Sequence, residues 1–177
     1  MKFTKSWAAA AAMVALTGTA QAALVLQANG LEVLDTNTNL IWLKDWEVNG
    51  LKNWARQKAW AETTLDGFAG SNDWRLPGIA EYVNLFTAYG DLTSNTLPFV
   101  NVQPGLHWSG TEFTPGIRAW VFFPGFGSQS FGSETSRLFA VAVRPGDVTA
   151  PVPEPQTLAL ALLALGATVV ARRRRSR

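Results

Sequence analysis

Asn72-Asp73-Trp74-Arg75-Leu76-Pro77 is the stretch whose reading decides the fold. Six consecutive residues hold an amide, a carboxylate, an indole, a guanidinium and a proline, a density of large and polar groups that a solvated loop does not need. The segment reads as a loop drawn into a core, with Trp74 and Leu76 as its apolar anchors. Arg75 and Asp73 then require partners, because a buried charge without a hydrogen-bonded counter-charge is very costly. Glu81 is the nearest candidate for Arg75.

Working outward, Pro77 and Gly78 suit the start of a helix in which Ile79, Tyr82, Val83, Phe86 and Tyr89 form one amphipathic stripe. Glu81 falls near its third position, where a carboxylate favours the helix dipole. On the other side, residues 53–65 read as a helix capped by Asn53. Trp54, Ala61 and Leu65 share a stripe; Trp60 lies to its side, either a core-edge tryptophan or a platform for stacking on sugar. Further upstream, residues 31–35 and 40–43 flank Thr36-Asn37-Thr38-Asn39 in the pattern of a β-hairpin. Asp35, Asn37 and Asn39 imitate the opening of a calcium loop. Leu40 stands where that loop's glycine belongs and Trp46 where its closing glutamate belongs, so the reading is a plain turn.

Residues 91–105 are polar and proline-bearing, hence a loop. Residues 106–113, 117–123 and 137–144 read as strands, the last a central one because 138–143 is apolar on both faces. Phe126 and Phe131 sit in a glycine- and serine-rich stretch, either in a short strand or on a loop. Hairpin, two helices, then antiparallel strands is an α+β layout with two helices packed on sheet.

Both ends of the 177-residue chain read as addresses. Lys2 and Lys5, an apolar run over 7–16 and Ala20-Gln21-Ala22 make residues 1–22 a signal peptide with its signal helix. Residues 157–171 are uncharged and mostly apolar, and an arginine cluster fills 172–177. As a transmembrane helix the segment spans about 22 Å, short of the roughly 30 Å hydrocarbon core, and the arginines orient it with that end in the cytoplasm. Residues 23–150 remain as one domain. It carries eight basic and twelve acidic residues, a net charge of −4, so the basic character of the chain belongs to its ends and nucleic acid is not an expected partner. Cysteine is absent, which excludes thiol nucleophiles, cysteine metal sites and disulfides.

Leu40-Ile41-Trp42-Leu43-Lys44-Asp45, the tryptophan-bearing helix from Trp54, Asp73-Trp74-Arg75-Leu76-Pro77 with Glu81, Trp108-Ser109-Gly110-Thr111-Glu112, Ala119-Trp120 and Val143-Arg144 resemble, in order, the DUF1566 family, also called the Lcl C-terminal domain. The resemblance implies a C-type-lectin-like fold and, for some members, binding to sulfated or other polysaccharides. Its anchors Trp74, Arg75, Leu76, Pro77, Glu81 and Trp108 are structural. Where many relatives have a capping threonine, this chain has Gly78. The side-chain calcium motifs of sugar-binding C-type lectins are missing, so calcium-bridged binding is not implied, and neither metal nor cofactor is expected.

Residues 151–177 resemble a second pattern. Pro153-Glu154-Pro155, the apolar segment and the arginine cluster are similar to a PEP-CTERM sorting signal. That resemblance implies recognition by an exosortase in the inner membrane of a Gram-negative bacterium. The precursor would be membrane-anchored, and the processed domain would reside at the cell surface or in an exopolysaccharide matrix.

Together these readings predict an exported, non-enzymatic surface or matrix protein that contacts polysaccharide. With Trp42, Trp54, Trp74, Trp108 and Trp120 assigned to core motifs, the expected sugar contacts are Trp46, Trp60, Phe126 and Phe131. A purely architectural envelope protein is the first alternative. A carboxylate-dependent glycan hydrolase drawing on Asp66, Asp73, Asp91 or Glu112 is the second, although Asp73 and Glu112 read better as partners of Arg75 or Arg144. His107, the single histidine, shares a strand face with Ser109. At about 7 Å apart along the strand the two are too distant for a nucleophile–base pair.

Overall fold

The computed structural model describes residues 22–146. The signal segment up to residue 21, the segment 157–171, the arginine cluster and Pro153-Glu154-Pro155 lie outside the described residues. Among the described residues no helix is long and apolar enough to cross a membrane.

The runs on either side of Thr36-Asn37-Thr38-Asn39 form the expected hairpin. Glu32–Asp35 (β2) pairs antiparallel with Leu40–Leu43 (β3), with Asp35 opposite Leu40. The turn is closed by side chains. Asp35 accepts from the Asn37 N–H at 3.0 Å, the Thr38 hydroxyl at 2.6 Å and the Tyr89 hydroxyl at 2.6 Å, so this carboxylate is committed to protein donors. Leu24–Leu26 (β1), which the sequence reading lacks, adds to the outer edge of β2.

Asn53 caps the next helix, Trp54–Ala59 (α1), accepting from the Arg56 N–H at 3.1 Å. The helix does not run regularly to Leu65. Residues Trp60–Thr64 form a π-helical turn. Trp60 and Ala61 lie three and four residues beyond the buried Gln57, so ordinary helical spacing places both on the inner face before the wider turn begins. The second helix is Ile79–Tyr89 (α2), as the stripe predicts, with Tyr82 and Leu85 fully buried.

His107–Thr114 (β4), Arg118–Phe122 (β5) and Gln129–Ser133 (β6) make a second antiparallel sheet. Phe131 thus lies on a strand. The expected strand over 137–144 is shorter than predicted. Leu138 and Phe139 make isolated bridges, Ala140, Val141 and Ala142 are buried outside regular structure, and Val143–Pro145 (β7) pairs with β3 to complete the sheet β1-β2-β3-β7. Two helices and two antiparallel sheets bear out the α+β reading.

The hexapeptide stitches the two sheets together. Arg75 exchanges both backbone hydrogen bonds with Val143 of β7, at 3.0 and 2.8 Å, while the Gly110 N–H of β4 donates to the Pro77 carbonyl at 2.8 Å. Trp74, Leu76 and Pro77 are buried between these attachments. A Cβ on Gly110 would lie 3.0 Å from the Leu76 carbonyl oxygen, so glycine is what lets the strand approach. Gly78 caps α2 without a side chain, and the missing hydroxyl comes from elsewhere. Thr111 Oγ1 of β4 accepts the Ile79 N–H at 3.1 Å, and Glu81 accepts the Gly78 N–H at 2.7 Å.

Two charge assignments change. Arg75 is bidentate on Glu81, at 2.7 and 2.6 Å, but its side chain is about two-fifths exposed, so it is not a buried charge. Burial pushes the Glu81 carboxyl up, and the hydrogen bonds from Arg75 and Gly78 more than offset it, leaving it below its ordinary value. The buried ion pair is Arg144 with Glu32 at 2.9 Å, their side chains 6% and 3% exposed, and Arg144 also lies over the Trp74 ring at 5.6 Å. Asp73, expected as a partner, is exposed, accepts a hydrogen bond from Ser71 and acts on Arg75 through its charge without a direct bond.

Between the sheets and α2 lies an aromatic core. Trp42 stacks on Trp46 at 6.0 Å, Tyr82 stacks on Phe122 at 5.0 Å, and the His107 ring meets Trp46 edge-on at 5.4 Å. The indole N–H groups of Trp54, Trp74 and Trp108 donate to the carbonyls of Ser109, Phe68 and Lys52, each tying down a different segment.

Candidate functional site

Of the four aromatic residues expected to contact sugar, the fold withdraws two. Trp46 is wholly buried in the aromatic core, and Trp60 is buried on the inner face of its helix beside Gln57 and Ala61. Neither offers a ring face to a ligand.

Phe126 and Phe131 remain, and they differ. Phe126 is 77% exposed on the tight turn between β5 and β6, with no ring contact among the described residues. That turn depends on Gly127, at φ 68°, where a Cβ would sit 2.4 Å from the Phe86 ring. Phe131 is 44% exposed on the outer face of β6 and does not stand alone. It stacks on Phe113 at 4.4 Å with an interplanar angle of 6°, Phe113 meets Trp120 edge-on at 5.2 Å, and the Arg118 guanidinium lies 5.0 Å from the Phe131 ring centre. The result is a four-residue ladder across β4, β5 and β6.

Strand geometry explains the ladder. Successive side chains alternate between faces, so Arg118 and Trp120 point outward while Ala119 and Val121 point into the core. Trp120 is opposite Phe131 in the register, and a bulge in β4 between Glu112 and Thr114 brings Phe113 alongside. Trp120 is therefore a half-exposed member of the outer face, not the core tryptophan the motif suggested. Beneath the ladder, Gly132 leaves room for the Trp108 ring, 3.1 Å from where its Cβ would be. Gln129 and Ser133 are exposed two residues to either side of Phe131, on its face.

The period-two pattern of Arg118-Ala119-Trp120-Val121 already separates Trp120 from the core positions. Phe113 was hidden by the bulge, and Arg118 is recognisable only once Phe131 is known to be on the neighbouring strand.

The Ser109–His107 pairing weighed from sequence is not assembled. The Ser109 hydroxyl donates to the Trp120 carbonyl at 3.0 Å, while His107 Nδ1 lies 3.0 Å from the Gly105 carbonyl, so each is committed elsewhere. Burial pushes the His107 imidazole down to about 4. Asp66, Asp73, Asp91 and Glu112 are all exposed, and Asp91 is held below its ordinary value by hydrogen bonds from Thr93. Among the described residues no cluster of acidic groups and histidine has the makings of a metal site.

Two concavities flank this framework. One, about 350 Å³, is walled largely by apolar side chains including Leu31, Leu43, Leu65, Phe68 and Val100. The other, about 320 Å³, is polar and lined by Lys52, Asn53, Arg56, Thr135 and Arg137, of which the sequence alone points only to Asn53, as a helix cap.

Comparison with curated proteins finds no match. The PEP-CTERM protein-sorting motif matches residues 151–175, and a motif of this kind implies an exported precursor, anchored in a Gram-negative inner membrane and recognised by exosortase processing machinery. The Lcl C-terminal domain matches residues 31–144, well over half of the chain. That span takes in the stitched hexapeptide, the Gly110 approach and the buried Arg144, and the chain belongs to the Lcl C-terminal domain family.

Proposed function

We propose that this protein is a non-enzymatic, C-type-lectin-like module of the cell surface or exopolysaccharide matrix, and that it contacts polysaccharide through the outer face of β4, β5 and β6. One observation carries the reading. The solvent face of a small antiparallel sheet ordinarily alternates to polar residues, yet here it presents Phe113, Trp120 and Phe131 as one aromatic surface. Cross-strand aromatic pairs stabilise a sheet by about 0.2–1 kcal/mol each, which accounts for the pairing but not for leaving such rings open. Aromatic rings offer an apolar surface to the C–H groups of a sugar, and the Arg118, Gln129 and Ser133 side chains around them are suited to its hydroxyls.

The test is a titration of the full chain with the host's own exopolysaccharide. Phe113→Ala with Phe131→Ala is expected to weaken saturable binding about tenfold with the fold intact by circular dichroism. Unchanged binding in that variant would remove the assignment. A concentration-dependent oligomer that the same substitutions abolish would make the ladder a protein interface and favour the architectural role.

A further inference from the structure

We propose that β6 is a docking edge for a second copy of this chain, and that two β6 strands pair antiparallel about Phe131 to join their sheets into one. The pairing uses backbone groups and is independent of any contact with polysaccharide.

The outer strands of the two sheets are β1, β7, β4 and β6, and they are finished differently. The hexapeptide covers β7, where Arg75 and Val143 exchange backbone bonds. The carbonyls of Pro77 and Phe139 cover β4, accepting the Gly110 and Trp108 N–H groups at 2.8 Å each. β1 is open but only three residues long. β6 is open over five residues, four of them exposed. Open edges are ordinarily blunted by a lysine, a proline or a bulge. Gln129-Ser130-Phe131-Gly132-Ser133 carries neither charge nor proline, and its register against β5 runs without a shift.

The register fixes which groups face the open side. At the two ends of the β5–β6 ladder the Phe123 N–H donates to the Ser128 carbonyl at 2.9 Å and the Glu134 N–H to the Ile117 carbonyl at 3.0 Å. Bonded pairs in an antiparallel ladder recur at every second residue. Ser130 and Gly132 therefore bond to β5, while Gln129, Phe131 and Ser133 turn their N–H and C=O groups outward. Among the described residues, only the Ser133 carbonyl of these six groups has a partner, the Ser136 N–H at 2.8 Å. A second β6 offers donors and acceptors at the same spacing. With a twofold axis at Phe131, Gln129 of one copy faces Ser133 of the other, Phe131 faces its counterpart, and no charged side chain of β6 is opposed. Side-chain alternation continues across the new pair, so the two aromatic ladders share one face and meet at Phe131.

Because the chain has no cysteine, disulfide cross-linking reports only on introduced positions. Full chains carrying Gln129→Cys or Ser133→Cys are oxidised singly and as an equimolar mixture, without polysaccharide. In the mixture the antiparallel register brings unlike positions within the roughly 4.4–6.8 Å Cα separation that a disulfide accepts, whereas like positions stay about 13 Å apart along the strand. The mixture is expected to give at least about fivefold more dimer than either variant alone. Equal yields in all three samples overturn the proposal. Phe131→Pro in both chains removes the outward N–H at the axis and leaves the bonds to β5 in place, so it should abolish the excess, with circular dichroism confirming the fold. An undiminished excess in that variant also overturns the proposal. Phe113→Ala with Phe131→Ala keeps every backbone donor and should preserve the excess; its loss would make the ladder face, rather than the edge, the interface. A failed polysaccharide titration leaves the edge pairing standing, and failed cross-linking leaves the polysaccharide reading standing.

Discussion

Acidification should destabilise this fold through one side chain. His107 is fully buried between Trp46 and Phe139, with ring centres 5.4 and 5.6 Å away, and it is the single histidine in the chain. Its Nδ1 sits 3.0 Å from the Gly105 carbonyl, which assigns the proton to that nitrogen, and Nε2 has no hydrogen-bond partner among the described residues. Burial depresses its pKa to about 4 from an ordinary 6.5. The unfolded chain therefore binds the proton more readily between those values, so stability is fully present above pH 6.5 and declines as pH falls towards 4. Between pH 7.5 and pH 5.0 the loss is about 2 kcal/mol, or roughly 6–10 °C in Tm for a domain of this length. The assay is urea unfolding of the parent and His107→Gln at both values. Carboxylate titrations common to both proteins cancel in the comparison. The parent should lose about 2 kcal/mol more than the variant on acidification; equal losses would refute the account.

Three further outcomes test the framework. Glu32→Gln removes the carboxylate facing Arg144 in the buried pair and should cost about 3 kcal/mol in urea unfolding; combining it with Arg144→Met should cost less than the sum of the single changes. Thr111→Val deletes the hydroxyl that accepts the Ile79 N–H and should destabilise by about 1 kcal/mol, with Thr111→Ser recovering most of it. Gly110→Ala drives a methyl group against the Leu76 carbonyl and should cost about 1–3 kcal/mol and raise hydrogen exchange at the Gly110 and Arg75 amides.

The parts legible in the sequence are those governed by local rules. The α2 stripe, the Asn53 cap and the Asn-rich hairpin turn each follow from residues within a few positions of one another, and each is where periodicity and capping place it. What escaped depends on contacts far apart in the chain. The π-helical turn at Trp60 leaves no trace in composition. Arg144 lies 112 residues from the carboxylate it meets, so proximity in sequence drew attention to Asp73 and Glu112 instead. Half the expected sugar contacts failed for one reason: a tryptophan with apolar neighbours reads alike whether its face is open or covered, and Trp46 and Trp120 changed places when burial was known.

The departure at Gly78 shows how the motifs depend on one another. A cap lost from the helix-start position is replaced by Thr111, but that hydroxyl reaches Ile79 only because Gly110 lets β4 press against Leu76 and Pro77. Two residues after Gly110, the bulge in β4 turns Phe113 outward onto Phe131. The segment that holds the sheets together and the strand that exposes the ladder are thus one continuous piece of backbone. If the ladder takes polysaccharide as proposed, Gly110→Ala should weaken that binding without touching a single exposed ring, and unchanged affinity in a titration would separate the ladder from the Gly110 contact.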